Sequence, residues 1–280
     1  MKWSGRRESG NVEDRRGGGG RVVVGGGLGA IAIIVIATLF GVDPRQMLEL
    51  APTTQQDSVP VDPQEEELKR FVSVVLADTE DIWGEIFARQ GATYQKPWVV
   101  LFTEQVESAC GFASAASGPF YCPPDQKVYM DLSFFDELQS RFGAPGDFAI
   151  AYVVAHEVGH HVQNQMGLTD KVHAMQGQVS PEEYNRMSVR LELQADFLAG
   201  AWAHYAQNSL DVVEPGDFEE AITAAGAVGD DRIQRESSGR VVPDAFTHGT
   251  SAQRIAWFQR GFTTGDLAQG DTFSVDYDDL

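Results

Sequence analysis

The chain has 280 residues, of which 42% are hydrophobic, and its formal net charge at pH 7 is −20. This length suits one large domain or two small ones, with enough apolar residues to build a core. A chain this acidic repels phosphate backbones, so the composition argues against a nucleic-acid-binding protein and favours a soluble domain facing water.

The first 63 residues divide into three segments. Residues 1–21 hold six basic residues, three acidic residues and a glycine run, which predicts a disordered, cytoplasmic leader. Residues 22–42, VVVGGGLGAIAIIVIATLFGV, carry no charge and are long enough to cross a bilayer, which takes about 20 apolar residues. Residues 43–63 contain four prolines and many small polar residues, which predicts a linker.

The charges around the apolar run predict its orientation. Basic residues precede the run, and the downstream flank is acidic or neutral apart from Arg45. The positive-inside rule then gives a single-pass anchor in the cytoplasmic membrane, with the N-terminus inside and the domain extracytoplasmic. A cleaved signal peptide is the alternative, although the run is long for one and no small-x-small site follows it directly.

The two cysteines, Cys110 and Cys122, lie on the predicted exported side. In an oxidising compartment they predict one disulfide that closes a small loop. Their spacing is far from the two to four residues of a structural zinc site, so zinc ligation by this pair is the weaker interpretation.

Residues 64–270 predict an α+β domain, mostly helical with a small sheet. Helical apolar spacing runs from Gln64 to Gly91, and β-forming segments follow near residues 96–106 and 126–135. A short helix is expected at 134–142, and longer ones at 147–166, 181–207, 217–228 and 251–261. Their expected N-caps include Asp147, Ser180 and Ser251. Residues 271–280 form an acidic tail, and its last five residues, DYDDL, are expected to fray.

The helix over 147–166 contains the motif H-E-x-x-H as His156, Glu157 and His160. Residues four apart share one face of a helix, so both imidazoles can reach one ion. Glu157 is turned by about 100° from His156, where it can reach a water held by that ion. Two histidine ligands and a glutamate base are the arrangement of zinc peptidases. Gly159 offers a neighbouring element close access to this helix.

A third ligand is expected on the helix over 181–207, in the segment LELQADFLAG. Glu192 and Asp196 are four residues apart in an otherwise apolar stretch. Two acids on one face of a buried helix need a cation or hydrogen-bond partners. The pattern leaves open which of the two is the ligand.

The strings HEVGHHVQ, RLELQADFLAGAW and FTHGTSAQRIAWFQRG resemble the bacterial neutral zinc metallopeptidase family (YpfJ-like), with the H-E-x-x-H and E-x-x-x-D motifs of gluzincins. The resemblance implies a zincin-like fold and one Zn²⁺ held by His156, His160 and Glu192. It gives Asp196 the role of orienting a ligand histidine. The reverse assignment, with Asp196 as ligand and Glu192 as support, is the alternative.

The third string also resembles the THP…R segment of related membrane-associated gluzincins, with Gly249 in place of the proline. The resemblance implies that His248 and Arg254 are catalytic residues that stabilise the oxyanion. A surface ion pair is the alternative interpretation of Arg254.

Together these features predict a membrane-anchored zinc metallopeptidase acting on peptides or proteins. Glu157 is expected to take the proton of a zinc-activated water and deliver it to the leaving amine. The strand at Lys127–Asp131 is expected to pair with the extended substrate. Two other hypotheses are a non-enzymatic envelope protein with a structural metal site and a zinc hydrolase of a cell-wall amide.

Overall fold

The computed structural model describes residues 1–16 and 62–280. The predicted membrane run, residues 22–42, lies outside these residues, as does nearly all of the predicted linker, and both stay predictions. Within the two described ranges, no helix combines the length and the apolar character that a bilayer crossing needs.

The described part of the chain is mostly helical and has a small sheet, which confirms the predicted α+β class. The strands are β1 (Val12–Asp14), β2 (Trp98–Phe102), β3 (Gln105–Ser108), β4 (Gly111–Ser114), β5 (Phe120–Cys122) and β6 (Lys127–Asp131). The helices are α1 (Pro63–Arg89), α2 (Ser133–Ser140), α3 (Asp147–Gln165), α4 (Leu168–His173), α5 (Pro181–Tyr205), α6 (Asp217–Ala227), α7 (Asp230–Ser238) and α8 (Ser251–Thr264). Helices α4 and α7 were not predicted.

The four-stranded sheet has the order β1-β2-β6-β5, and β3 and β4 form a separate hairpin. Strand β6 is parallel to β2 on one side and antiparallel to β5 on the other. The prediction that β6 pairs with substrate is therefore wrong, because both of its edges are already used. Among the described strands, β1 and β5 are the two edges of this sheet. The Cys110–Cys122 disulfide ties the last residue of β5 to the residue before β4.

Residues 1–16 form an arm that packs on the domain, so the predicted disordered leader is wrong for these residues. Strand β1 extends the sheet by pairing in parallel with β2. The amino group of Met1 lies 2.7 Å from Asp147 and 3.3 Å from Asp217, between the first residues of α3 and α6. Apolar periodicity did not reveal this docking because most of the contacts are polar.

The core of the helical part is the packing of α3, α5 and α8. Ser180 caps α5 as predicted, by accepting a hydrogen bond from the Glu183 amide. Two predicted caps are displaced by one residue: Gly146 precedes α3, and Thr250 forms a capping box with Gln253 at the start of α8.

The predicted fraying of the tail is also wrong, because residues 271–280 pack on α5. Thr272 is fully buried, and Arg190 donates a hydrogen bond to the carbonyl of Val275 at 2.8 Å. The guanidinium of Arg186 lies over the ring of Tyr277. These contacts explain why an acidic segment stays attached to an acidic domain.

Candidate metal centre

The centre lies where α3 crosses α5, and a glycine sets the distance between the two helices. A Cβ on Gly159 would lie 3.0 Å from the carbonyl oxygen of Ala195, tighter than ordinary packing. The absence of a side chain at this position lets α5 approach α3 closely, as the sequence predicted. The close approach brings a carboxylate of α5 against the histidines of α3.

Three side chains converge at this crossing. The Nε2 atom of His156 lies 3.2 Å from one carboxylate oxygen of Glu192, and Nε2 of His160 lies 3.4 Å from the other. One donor atom from each residue falls within 4.8 Å of the other two. Burial alone would raise the pKa of Glu192, but the neighbouring imidazoles of His160 and His248 hold it well below the ordinary value.

Asp196 lies one helical turn after Glu192 and meets the opposite nitrogen of the same ring. Its Oδ1 is 2.9 Å from Nδ1 of His156 and accepts a hydrogen bond from the Tyr152 hydroxyl at 2.6 Å. A hydrogen on Nδ1 directs the lone pair of Nε2 towards Glu192 and the candidate ion. The geometry favours Glu192 as ligand and Asp196 as the residue that orients His156.

Arg254 is buried and pairs with Asp196 through two bonds. Its Nε donates to Oδ2 at 2.8 Å and its Nη2 donates to Oδ1 at 3.0 Å. Burial alone would raise the pKa of Asp196, but Arg254 and His156 hold it below the usual range. The same carboxylate raises the pKa of the buried His156 to about 9, against the lowering effect of burial. The surface ion pair considered for Arg254 is wrong, since its side chain is only 5% exposed.

His160 has an orienting partner that the sequence analysis missed, the side-chain amide of Gln163. The amide nitrogen of Gln163 donates to the carbonyl of Leu191 at 2.7 Å, so its oxygen faces Nδ1 of His160 at 2.9 Å. An acceptor at this place requires the hydrogen on Nδ1, which leaves Nε2 free for an ion. A glutamine three residues after the second histidine, in an apolar helix, was the only signal in the sequence.

Glu157 and His248 face the cleft above this crossing. Burial raises the pKa of Glu157, which is only 7% exposed. His248 is half-exposed and lies 3.3 Å from Asp230, and the negative charges of Glu192 and Asp230 raise its pKa. The cleft has a volume of about 700 Å³, and β5, α2 and α3 contribute to its walls.

His161, adjacent to the second motif histidine, points away from the centre. It is fully buried, and its Nδ1 accepts from the hydroxyl of Tyr121 on β5 at 2.9 Å. Asn164 donates to the same hydroxyl at 3.0 Å. These bonds tie strand β5 to α3, the helix that carries the two candidate histidine ligands. Burial lowers the pKa of His161 to about 4.

The donor chemistry of the centre fits zinc. Two imidazole nitrogens and one carboxylate oxygen are the set found in many catalytic zinc sites, where a fourth position stays open. In the described part of the chain, no fourth His, Cys, Asp or Glu joins the group. A structural zinc site is closed by four protein ligands, and these residues do not provide them.

The comparisons with known proteins also point to zinc. The family model described as "Putative neutral zinc metallopeptidase" matches residues 1–273. The chain belongs to this family. Within the family, it is 49% identical to the "Uncharacterized protein YpfJ" of Escherichia coli strain K12, over 98% of this chain and 99% of that one. It is 42% identical to the "Uncharacterized protein Rv2575" of Mycobacterium tuberculosis strain H37Rv, over 85% of each chain. No solved structure matches.

Proposed function

We propose that this member of the neutral zinc metallopeptidase family hydrolyses peptide bonds, with one Zn²⁺ held by His156, His160 and Glu192. The observation that carries the proposal is the three-donor group at an open cleft, with a buried glutamate beside it. Three ligands leave a coordination position for substrate or water, which a structural site lacks.

The residues of the centre have separate roles in the proposed hydrolysis. Bound zinc supplies a Lewis acid for the carbonyl and lowers the pKa of water towards neutrality. The carboxylate of Glu157 accepts the proton of the attacking water and delivers it to the leaving amine. Asp196 and Gln163 keep the hydrogens of both ligand histidines on Nδ1. We assign the developing oxyanion to His248, because it is half-exposed at the cleft, and keep Arg254 as a second candidate.

The proposal also includes the fold type, the binding of substrate and the cellular location of the domain. We infer a zincin-like fold, in which an extended peptide pairs with the free edge of β5 at the cleft wall. We place the domain on the extracytoplasmic side of the cytoplasmic membrane. The Cys110–Cys122 disulfide supports this location, because disulfides persist in oxidising compartments.

Glu157→Gln tests the proposal in the full-length chain. The amide keeps the shape of the side chain but cannot accept the proton, so we expect cleavage of a peptide library to fall about 10²–10⁴-fold with zinc content unchanged. The matched control is Glu85→Gln, the same chemical change at an exposed position of α1. His160→Ala should lose zinc and activity together.

Two results would contradict the peptidase. One is a wild-type protein that holds no zinc, and the other is a Glu157→Gln protein that cleaves at the wild-type rate. A parallel digestion of purified cell wall distinguishes the peptidase from a hydrolase of cell-wall amides. Cleavage of the wall with no cleavage of peptides would favour the cell-wall amide hypothesis.

A further inference from the structure

The arm, residues 1–16, is joined to the domain by backbone hydrogen bonds along most of its length. The amide of Val99 on β2 donates to the carbonyl of Asn11 at 2.9 Å, and the amide of Arg15 donates to the carbonyl of Leu101 at 2.8 Å. The amide of Ser9 donates to the carbonyl of Ser73 on α1 at 2.9 Å. The arm thus supplies an edge strand of the sheet and covers α1.

Charged side chains add a second set of contacts, which includes ion pairs between basic residues of the arm and acidic residues of α1. Arg6 lies 2.7 Å from Asp78, and Arg7 lies 3.2 Å from Glu80. The side chains of Asp78 and Glu80 are only 4% and 1% exposed with the arm in place. Two of the basic residues that suggested a cytoplasmic leader, Arg6 and Arg7, therefore have partners within the domain.

The arm ends beside the start of α1. Arg16 donates to the backbone carbonyl of Glu65 at 3.1 Å and to its carboxylate at 3.3 Å. Asp14 accepts from Lys69 at 2.9 Å. Arg16 and Asp62, the N-cap residue of α1, therefore lie at the same end of this helix.

These contacts conflict with the predicted single crossing between residues 21 and 43. A chain that crosses a bilayer once leaves its two flanks on opposite faces, separated by a hydrocarbon core of about 30 Å. Ionic contacts of about 3 Å require both flanks in one compartment. The family model spans residues 1–273, so the arm belongs to the architecture that the family shares.

We propose that the arm and the catalytic domain lie on the same side of the membrane. If the domain is extracytoplasmic, the N-terminal arm is extracytoplasmic with it, whatever the charge of residues 1–21. The positive-inside rule counts Lys and Arg in short loops near the ends of a crossing. In this chain Arg6, Arg7 and Arg16 are paired with carboxylates of α1.

Single-cysteine labelling in intact cells tests the proposal with the full chain. The two native cysteines are joined to each other, so an introduced thiol is the free one. Ser4→Cys places a thiol on an exposed residue of the arm, and Ser237→Cys places one on an exposed residue of α7. A membrane-impermeant maleimide is applied before and after permeabilisation of the inner membrane, and labelling in detergent verifies each thiol.

We expect both variants to label under the same condition, either both in intact cells or both only after permeabilisation. Labelling of one variant outside and the other only after permeabilisation would overturn the proposal. Gly10→Cys, a second exposed arm position with open space around its Cβ, repeats the measurement if Ser4→Cys does not accumulate. Neither outcome depends on peptidase activity, so this proposal and the proposed function fail separately.

Discussion

Asp196→Asn probes the link between the buried ion pair and the candidate metal centre. The carboxylate is fully buried and accepts hydrogen bonds from His156, Tyr152 and Arg254. An amide offers one acceptor oxygen in place of two and adds a donor that faces other donors. The substitution therefore leaves the guanidinium of Arg254 buried without its counter-charge and removes the charge that holds the hydrogen on Nδ1 of His156.

The two consequences have different magnitudes. Breaking a buried ion pair by removing one partner costs about 3–5 kcal/mol of folding free energy, and burial of both groups leaves little solvent screening to reduce it. Loss of the residue that orients a ligand histidine weakens metal binding about 10–100-fold. The first effect is read from urea unfolding without metal, and the second from zinc competition against a chelator of known affinity.

A double variant separates the two effects. Asp196→Asn combined with Arg254→Met removes both charges, so we expect most of the lost stability to return. Zinc affinity should stay low in the double variant, because His156 still lacks its carboxylate partner. Wild-type zinc affinity in the double variant would refute the orienting role, and unchanged stability in the single Asp196→Asn variant would refute the buried ion pair.

Three further predictions concern a buried hydrogen bond, the packing of two helices and the disulfide. Tyr121→Phe removes the hydroxyl that binds a buried histidine, and should lower the free energy of unfolding in urea by about 1–3 kcal/mol. The control Tyr94→Phe should be neutral or stabilising, because that buried hydroxyl has no hydrogen-bond partner among the described residues. Equal effects of the two tyrosine variants would contradict the hydrogen-bond argument. Gly200→Ala puts a Cβ into the carbonyl of the neighbouring helix α8 and should lower stability by about 1–3 kcal/mol, while Gly84→Ala, with open space around it, should raise it by about 0.5–1 kcal/mol. A stabilised Gly200→Ala protein would show that the two helices can separate freely. Replacing both cysteines by alanine should lower the free energy of unfolding by about 2–3 kcal/mol, as the separation of 12 residues between them implies, and no change in the denaturant midpoint would show that the loop is ordered without the cross-link.

The two acids of α5 have different roles that helical periodicity does not distinguish. Glu192 and Asp196 lie one turn apart on one face, so helical periodicity alone makes them equivalent. Which one reaches Nε2 of His156 and which one reaches Nδ1 depends on how far α5 is shifted along α3. The contact of Gly159 with Ala195 sets that offset. Because this is a contact between two helices, the residue spacing within either helix does not reveal it.

The sequence by itself determined the local features of this protein. The H-E-x-x-H spacing, the Ser180 cap, the α+β class and the single cysteine pair depend on residues close together in the chain or on composition, where periodicity and side-chain chemistry are sufficient. Only the tertiary structure decided that Gln163 and Tyr152 support the centre, that β5 rather than β6 is an edge strand, and that the basic arm docks on α1. These are contacts between distant segments, and the docking of the arm depends largely on polar pairs, which leave no apolar pattern to read.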